Sequence, residues 1–316
     1  MPAKQKRILT SLYLIVTLFA SPVVYSLNLD PISADHWDEN HAAHLASRAG
    51  FGLLPGEIAA LSAQEPTKAV AYFVDGAAKP NVSAFEHSGI FDEGLDPFPP
   101  SRPATTRLAK EQGHALGINV KPGGNRPIQP IVNKFFYWLR ASRLETDRVS
   151  YWWANRMLTT NHPLQEKMAL FWHGHFATNE DKVRDYRKML KQLELFQEKG
   201  LSNFRELLIA VSQDPAMLAF LDAGVNTKDS PNENFAREIM ELFTMGVGHY
   251  SETDVQEAAR AFTGWNSQNL VFYIDEEQHD SGVKRFLGKE GNFSGTDIID
   301  LILEQPVTAE FIAAKI

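Results

Sequence analysis

The sequence contains no cysteine. That excludes disulfides, thiolate metal sites, iron–sulfur clusters and cysteine nucleophiles. It also lacks an excess of positive charge. The 31 Lys and Arg stand against 39 Asp and Glu, a formal net charge of −8. General nucleic-acid binding needs clustered positive charge, so it is not expected. Beyond residue 26 no stretch is long and apolar enough to span a bilayer, so the mature chain is expected to have no transmembrane helix. No glycine-rich phosphate loop, H-E-x-x-H zinc motif, haem motif or serine nucleophile elbow is present. Nucleotide binding and a standard serine-hydrolase triad are therefore unsupported. What remains is a chain of 316 residues, 44 % hydrophobic and 22 % charged, with ample apolar surface to bury. That length suits one large domain or two small ones.

Residues 1–26 differ in kind from the rest. Lys4, Lys6 and Arg7 precede a nearly apolar run from Ile8 to Ala20, and Val24-Tyr25-Ser26 resembles a small-x-small cleavage site. This is the three-part pattern of a secretory signal peptide. An uncleaved anchor is the alternative, but Thr10, Ser11, Thr17, Ser21 and Pro22 interrupt the run. The absence of a cysteine after the segment excludes a lipid anchor on that residue. The expectation is export to the periplasm or the extracellular space, with residues 27–316 as a single α-helical domain.

The fold class expected is mainly α: a multi-helix globular domain with a long Pro/Gly-rich loop and a small β-hairpin near the C-terminal end. Helical periodicity predicts helices over 35–49, closed by Gly50 as a C′ residue, and over 57–63 and 67–74 behind Pro55 and Pro66. Seven prolines between 77 and 127 preclude long helices there, and that stretch reads as a wrapping loop or lid. Further helices are predicted over 131–143, 145–158, 163–175, 180–199, 204–213, 215–221, 234–245 and 252–263. Ser251 and Asp254 form a capping box for the last of these. Leu270–Ile274 and Val283–Leu287, either side of Asp280-Ser281-Gly282, read as the two strands of the hairpin. Pro306–Ile316 reads as a helix in mid-course, with Phe311, Ile312 and Ile316 on one stripe, and points to a chain whose C-terminal part is missing.

Four constellations carry candidate chemistry. His173 and His175 flank Gly174 among Phe171, Trp172 and Phe176, where they can serve as metal ligands or as an acid–base histidine in an aromatic pocket. Equally, they are cations suited to a helix C-terminus. On the helix after Asn232, Phe235, Ile239, Leu242 and Phe243 form the expected core stripe. Asn234, Glu238 and Glu241 form a second stripe beside it, at i, i+4 and i+7. Two carboxylates bordering the core can share a metal, or one can hold a raised pKa suited to general acid work. Arg237 lies four residues before Glu241 and can pair with it, which would make the set a structural ion network with Glu233. The loop from Asp222 to Asn232 is rich in hard oxygen ligands but lacks calcium-loop spacing, and its residues are ordinary turn formers. His279 and Asp280, followed by Lys284, can act together or mark a plain turn.

Taken together the blocks resemble a known family. His44-Leu45-Ala46-Ser47-Arg48-Ala49-Gly50-Phe51-Gly52, Pro163-Leu164-x-Glu166-Lys167-Met168-x-Leu170-Phe171-Trp172-His173-x-His175-Phe176 and Asp214-Pro215-Ala216-Met217-Leu218 carry the likeness. So do Asn232-Glu233-Asn234-Phe235-Ala236-Arg237-Glu238, Ala259-Arg260-Ala261-Phe262-Thr263-Gly264-Trp265 and His279-Asp280. In order, these resemble the bacterial exported family known as domain of unknown function 1800, from about His44 to the last residue. Its members are typically exported and longer than this chain. The resemblance brings no agreed reaction, cofactor or catalytic residue.

Two function classes follow. One is a hydrolytic enzyme of the cell envelope, with Glu238, Glu241, His173 and His175 as catalytic candidates, assisted by a divalent metal held by His173, His175 or Glu238. Asn234, Arg237, Trp172, Trp265, His279 and Asp280 would then bind substrate, the aromatic rings offering a face to a sugar or peptide. The other is a non-catalytic binding or assembly protein acting with another exported protein or an envelope polymer.

Overall fold

The computed structural model describes residues 30–75, 84–90, 129–268 and 270–316. The export segment and all of the Pro/Gly-rich stretch except residues 84–90 lie outside the described residues. Among the described residues, 13 α-helices and two small antiparallel hairpins form the molecule.

Three short helices build a small N-terminal core. They are α1 (Glu39–Ala49), α2 (Pro55–Ser62) and α3 (Pro66–Val74). The first starts later than its periodicity suggests, because Asp38 accepts the His41 N–H at 3.0 Å and sets the N-cap there. Gly50 is not a left-handed cap: its φ is −156°, and Gly52 (φ +91°) makes the turn. The glycine at 50 is explained by close approach, since a Cβ there would lie 3.1 Å from the Pro163 Cβ. Ala42, Ala46, Leu61, Ala69 and Phe73 fill this core.

The larger core begins with α4 (Gln129–Thr159), a single 31-residue helix rather than two. No Gly or Pro interrupts residues 131–159, so nothing breaks the i→i−4 ladder near Leu144. Next comes α5 (Pro163–His175), with the bounds expected. The following stretch divides instead of running through. A short α6 (Glu180–Val183) ends at Arg184 in the left-handed region (φ +58°), and α7 (Tyr186–Lys199) restarts. Asp185 causes the restart by accepting the Arg187 N–H at 3.0 Å while gripping its guanidinium. α7 packs against both α4 and α5. After it come α8 (Phe204–Ser212) and α9 (Pro215–Phe220).

α10 (Asn234–Glu241) is shorter than its apolar pattern suggests. Met245 and Gly246 both bond back to the Met240 carbonyl, and Gly246 (φ +78°) takes the left-handed conformation that closes the turn. The buried face is made by Phe235, Ala236, Ile239, Met240 and Phe243, so Leu242 lies at its margin and stands 51 % exposed, not in the core stripe. The Ser251–Asp254 capping box opens α11 (Glu252–Ala261) as expected.

The predicted hairpin strands do not pair with each other. β1 (Trp265–Gln268) pairs with β2 (Val271–Ile274), while β3 (Lys284–Phe286) pairs with β4 (Lys289–Gly291). The turn at Asp280–Gly282 is a connector between hairpins, its Asp280 occupied by Arg260. α12 (Gly295–Leu303) was not anticipated, although Ser294 and Asp297 repeat the capping-box signature of α11. α13 (Pro306–Ala313) closes the described fold.

Candidate functional site

α10 sets the geometry of the two candidate carboxylates. Phe235, Ile239 and, just beyond it, Phe243 are buried, so the flanking face with Glu238 and Glu241 lies at the rim of the core. Asn234 donates from its side chain to the Leu221 carbonyl at 3.0 Å. Arg237 turns away from Glu241. It pairs with Glu233 at 2.9 Å and with Glu252 of α11 at 2.7 Å, because α11 packs alongside and brings its own carboxylate. The Glu252 carboxyl is held below its ordinary range by that hydrogen bond. Glu241 instead accepts the Tyr250 hydroxyl at 2.8 Å. Burial, with that carboxylate, pushes the Tyr250 phenol up to about 12.

Glu238 differs from its neighbours. Among the described residues, no hydrogen bond or ion pair reaches its carboxylate. Burial raises its pKa above the ordinary value, the charge of Glu241 raises it further, and Arg237 offsets only part of this.

The histidines of α5 face different surroundings. His173 stacks edge-on against Trp153 at 5.5 Å, and burial lowers its pKa. His175 binds the Phe243 carbonyl through Nε2 at 3.0 Å, among Phe171, Phe176 and Phe311. Burial brings its pKa down to about 4 and Lys315 adds to the effect, so the ring is neutral near pH 7. In that state Nε2 is the donor and Nδ1 is a buried acceptor with no partner among the described residues. His175 touches the same turn that ends α10: Phe243 donates its N–H to the Glu238 carbonyl at 3.2 Å.

The remaining candidates sit in packed surroundings. Trp172 is buried and donates to the Gly200 carbonyl at 2.8 Å. Trp265 is 1 % exposed, enclosed by Phe235, Phe262 and Phe272, and presents no face to solvent. His279 binds the Thr263 carbonyl through Nδ1 at 2.9 Å. Asp280 pairs with Arg260 at 2.7 Å, which holds its carboxyl below the ordinary range. Lys284 is fully buried and clamps the connector by donating to the carbonyls of Asp280 (2.6 Å) and Gly282 (3.0 Å). In the Asp222–Asn232 loop, Asn226 is buried and ties the loop to Ala259 and Asn232, while Asp222 pairs with Lys182. Among the described residues, no group of three or more His, Asp or Glu side chains is placed to hold a metal.

Of the buried carboxyls that the sequence reading did not single out, Glu166 and Asp214 differ most in how they are matched. Glu166 on α5 is fully buried and takes hydrogen bonds from Trp153 (2.9 Å), Gln197 (2.9 Å) and the Arg156 guanidinium. Nothing local marks its burial, since it lies between Gln165 and Lys167 in the polar first turns of α5. Asp214 caps α9 by accepting the Met217 N–H at 2.9 Å, and burial pushes its pKa up to about 7. An Asp before a helix-starting Pro marks a cap, but nothing in the sequence marks its burial.

The family model described as a protein of unknown function, DUF1800, matches residues 44–316. No curated protein and no solved structure matches the chain. The match spans most of the chain and includes α5, α10 and every candidate residue above, and by it the chain belongs to the DUF1800 family.

Proposed function

We propose that this protein is an exported hydrolase of the cell envelope in which Glu238 is the proton donor. One observation carries the reading: Glu238 has a raised pKa and no partner among the described residues, whereas Arg237 and Glu241 on α10 are each matched. A carboxyl whose pKa is raised holds its proton to higher pH than an ordinary glutamate and can donate it to a leaving group. Glu241 supplies the nearby negative charge and is oriented by Tyr250. Two carboxyls with opposed environments are the arrangement from which acid and charge-stabilising roles arise. His175, neutral and tied to the turn after α10, positions that turn. The substrate class is an envelope polymer, a saccharide or peptide.

The test is cleavage of purified envelope polymers, read as new reducing ends or new amino termini. Wild-type protein should cleave, and Glu238→Gln should lose about 10²–10⁴-fold of the rate, the usual worth of a general acid, with an unchanged melting transition. Full activity in Glu238→Gln, or none in the wild type across saccharide and peptide polymers, would overturn the reading.

The binding or assembly reading has its own support. Arg237, Asp280, His279, Trp172 and Trp265 are each engaged in contacts within the chain. Under it the protein binds an envelope polymer without cleaving it, and the same assay separates the two.

A further inference from the structure

A cleft lies away from α10, where the small N-terminal core meets the large one. It encloses about 280 Å³ between the end of α3, the start of α5 and the end of α7. Phe73, Val74 and Leu201 form its apolar wall, and Gln165, Gln197 and Glu198 its polar one. That volume is small for a drug-sized site and suits a ligand of only a few heavy atoms.

Two amides of the polar wall are fixed in orientation by what they bind. Gln197 donates from Nε2 to the Glu166 carboxylate, at 2.9 Å to one oxygen and 3.2 Å to the other. Glu166 also takes the Arg156 guanidinium, so it is an acceptor here and the amide nitrogen must face it. Gln165 donates from Nε2 to the main-chain carbonyl of Gln197 at 2.8 Å, a group that can only accept. Each amide flip is thereby settled, and each side-chain oxygen is left over. Neither oxygen has a partner among the described residues, and neither is sealed from solvent. The floor beneath them is rigid, because Glu166 is fully buried and matched.

The chemistry of this wall selects a ligand. Glu198 adds an exposed carboxylate to the two amide oxygens. Lys199 reaches that carboxylate at 3.5 Å, an exposed pairing of little strength that a ligand can displace. No Lys or Arg is among the described residues that line the cleft. The wall therefore presents acceptors and negative charge, and an anion would meet repulsion there. A primary ammonium has three donors and no acceptor, which is the complement of such a wall. Phe73, Val74 and Leu201 supply the surface for an alkyl chain. His162, at the start of α5, closes one end, and the selection does not use its ring.

We propose that this cleft binds a short free aliphatic amine, its ammonium on the side-chain oxygens of Gln165 and Gln197 and on Glu198, its chain against Phe73, Val74 and Leu201. The site shares no residue with the Glu238 face and stands or falls separately from the hydrolase reading.

The probe is n-butylammonium, titrated into the full chain and followed by ligand-observed NMR. At about pH 8 an ordinary imidazole is uncharged and an alkylamine still protonated, so the titration is run there. Saturable binding is expected at a Kd of about 5 mM or tighter, as suits a ligand of so few atoms. Two controls divide the interaction. 1-Butanol lacks the charge, and butyltrimethylammonium keeps the charge but has no N–H; each should bind at least about tenfold more weakly, the worth of a hydrogen bond to a charged group. Glu198→Gln removes a charge from an exposed position and should weaken the probe about threefold. Gln165→Leu removes one fixed acceptor and should weaken it about tenfold, while Glu238→Gln should leave it unchanged. Absence of saturation, equal affinity for either control, or full affinity retained in both cleft variants would overturn the proposal.

Discussion

Glu166 and Glu238 are both glutamates on helices that border the large core, and they are opposites. Glu166 is completely buried, yet three donors surround it and one of them is a cation. Glu238 is only half-buried and, among the described residues, has no donor, with a second carboxylate beside it. Depth alone would have nominated Glu166 as the functional group. Matching reverses the order, because a buried charge that is fully hydrogen-bonded is architecture and an unmatched one is a cost the fold retains. Asp214 lies between the two. One of its oxygens is held by Met217 and Gln192, while the other is buried without a partner among the described residues.

The widest separation should come from Glu166→Ala. It leaves the Arg156 guanidinium, mostly buried, without its carboxylate, and frees the Trp153 and Gln197 donors. Removing one member of a buried pair typically costs about 3–5 kcal/mol. A urea melt of wild type and variant measures it. A loss below about 1 kcal/mol would mean that solvent reaches Arg156 and that the matched end of the comparison is weaker than its geometry.

Asp214 predicts a pH dependence of definite sign. In the folded chain burial keeps its proton to about pH 7, whereas the unfolded chain releases it near pH 4. The native state thus binds more protons between those values, and stability falls as pH rises through that window and levels off above it. Glu180 is pushed up to about 7 by the same cause and contributes in the same direction. Asp214→Asn retains a capping side chain and removes the charge. Between pH 5 and 8 the variant should lose about 1–3 kcal/mol less stability than the wild type. Parallel profiles for the two proteins would place the Asp214 charge in contact with water.

How much of this was legible in the sequence depends on which force wrote it. Local signals survived: Pro163 at a first turn, the Ser251 cap and the apolar phase of Phe235 and Ile239 all appear where expected. Failures came where tertiary contacts overrode local patterns. The helix expected over 180–199 breaks because Asp185 captures Arg187, and Leu242 stays outside the core because packing buries the face of Ala236, Ile239, Met240 and Phe243 instead. The hairpin partners were misassigned because pairing is chosen between strands, not within one. For the site, the sequence placed Glu238 and Glu241 on one face. It could not tell that Arg237 would choose Glu252, since that carboxylate arrives on another helix. Glu238 is left unmatched by that choice.

The finest test of the comparison is therefore Glu238→Gln itself. At pH 7 the substitution removes a charge that burial and Glu241 both oppose, and it breaks no hydrogen bond. Stability should hold or rise, by less than about 1 kcal/mol for a half-exposed group. The sign follows from linkage: a carboxyl whose folded pKa is raised weakens the native state as pH climbs through that pKa. The advantage of glutamine should accordingly fade as the medium is acidified and wild-type Glu238 takes up its proton. Denaturant melts at pH 4.5 and 7.5 provide both points. If the variant instead loses about 1–3 kcal/mol, the cost of stranding a buried partner, then Glu238 holds a group as Glu166 does. In that event the distinction between a matched and an unmatched carboxylate fails where it carries the proton-donor assignment.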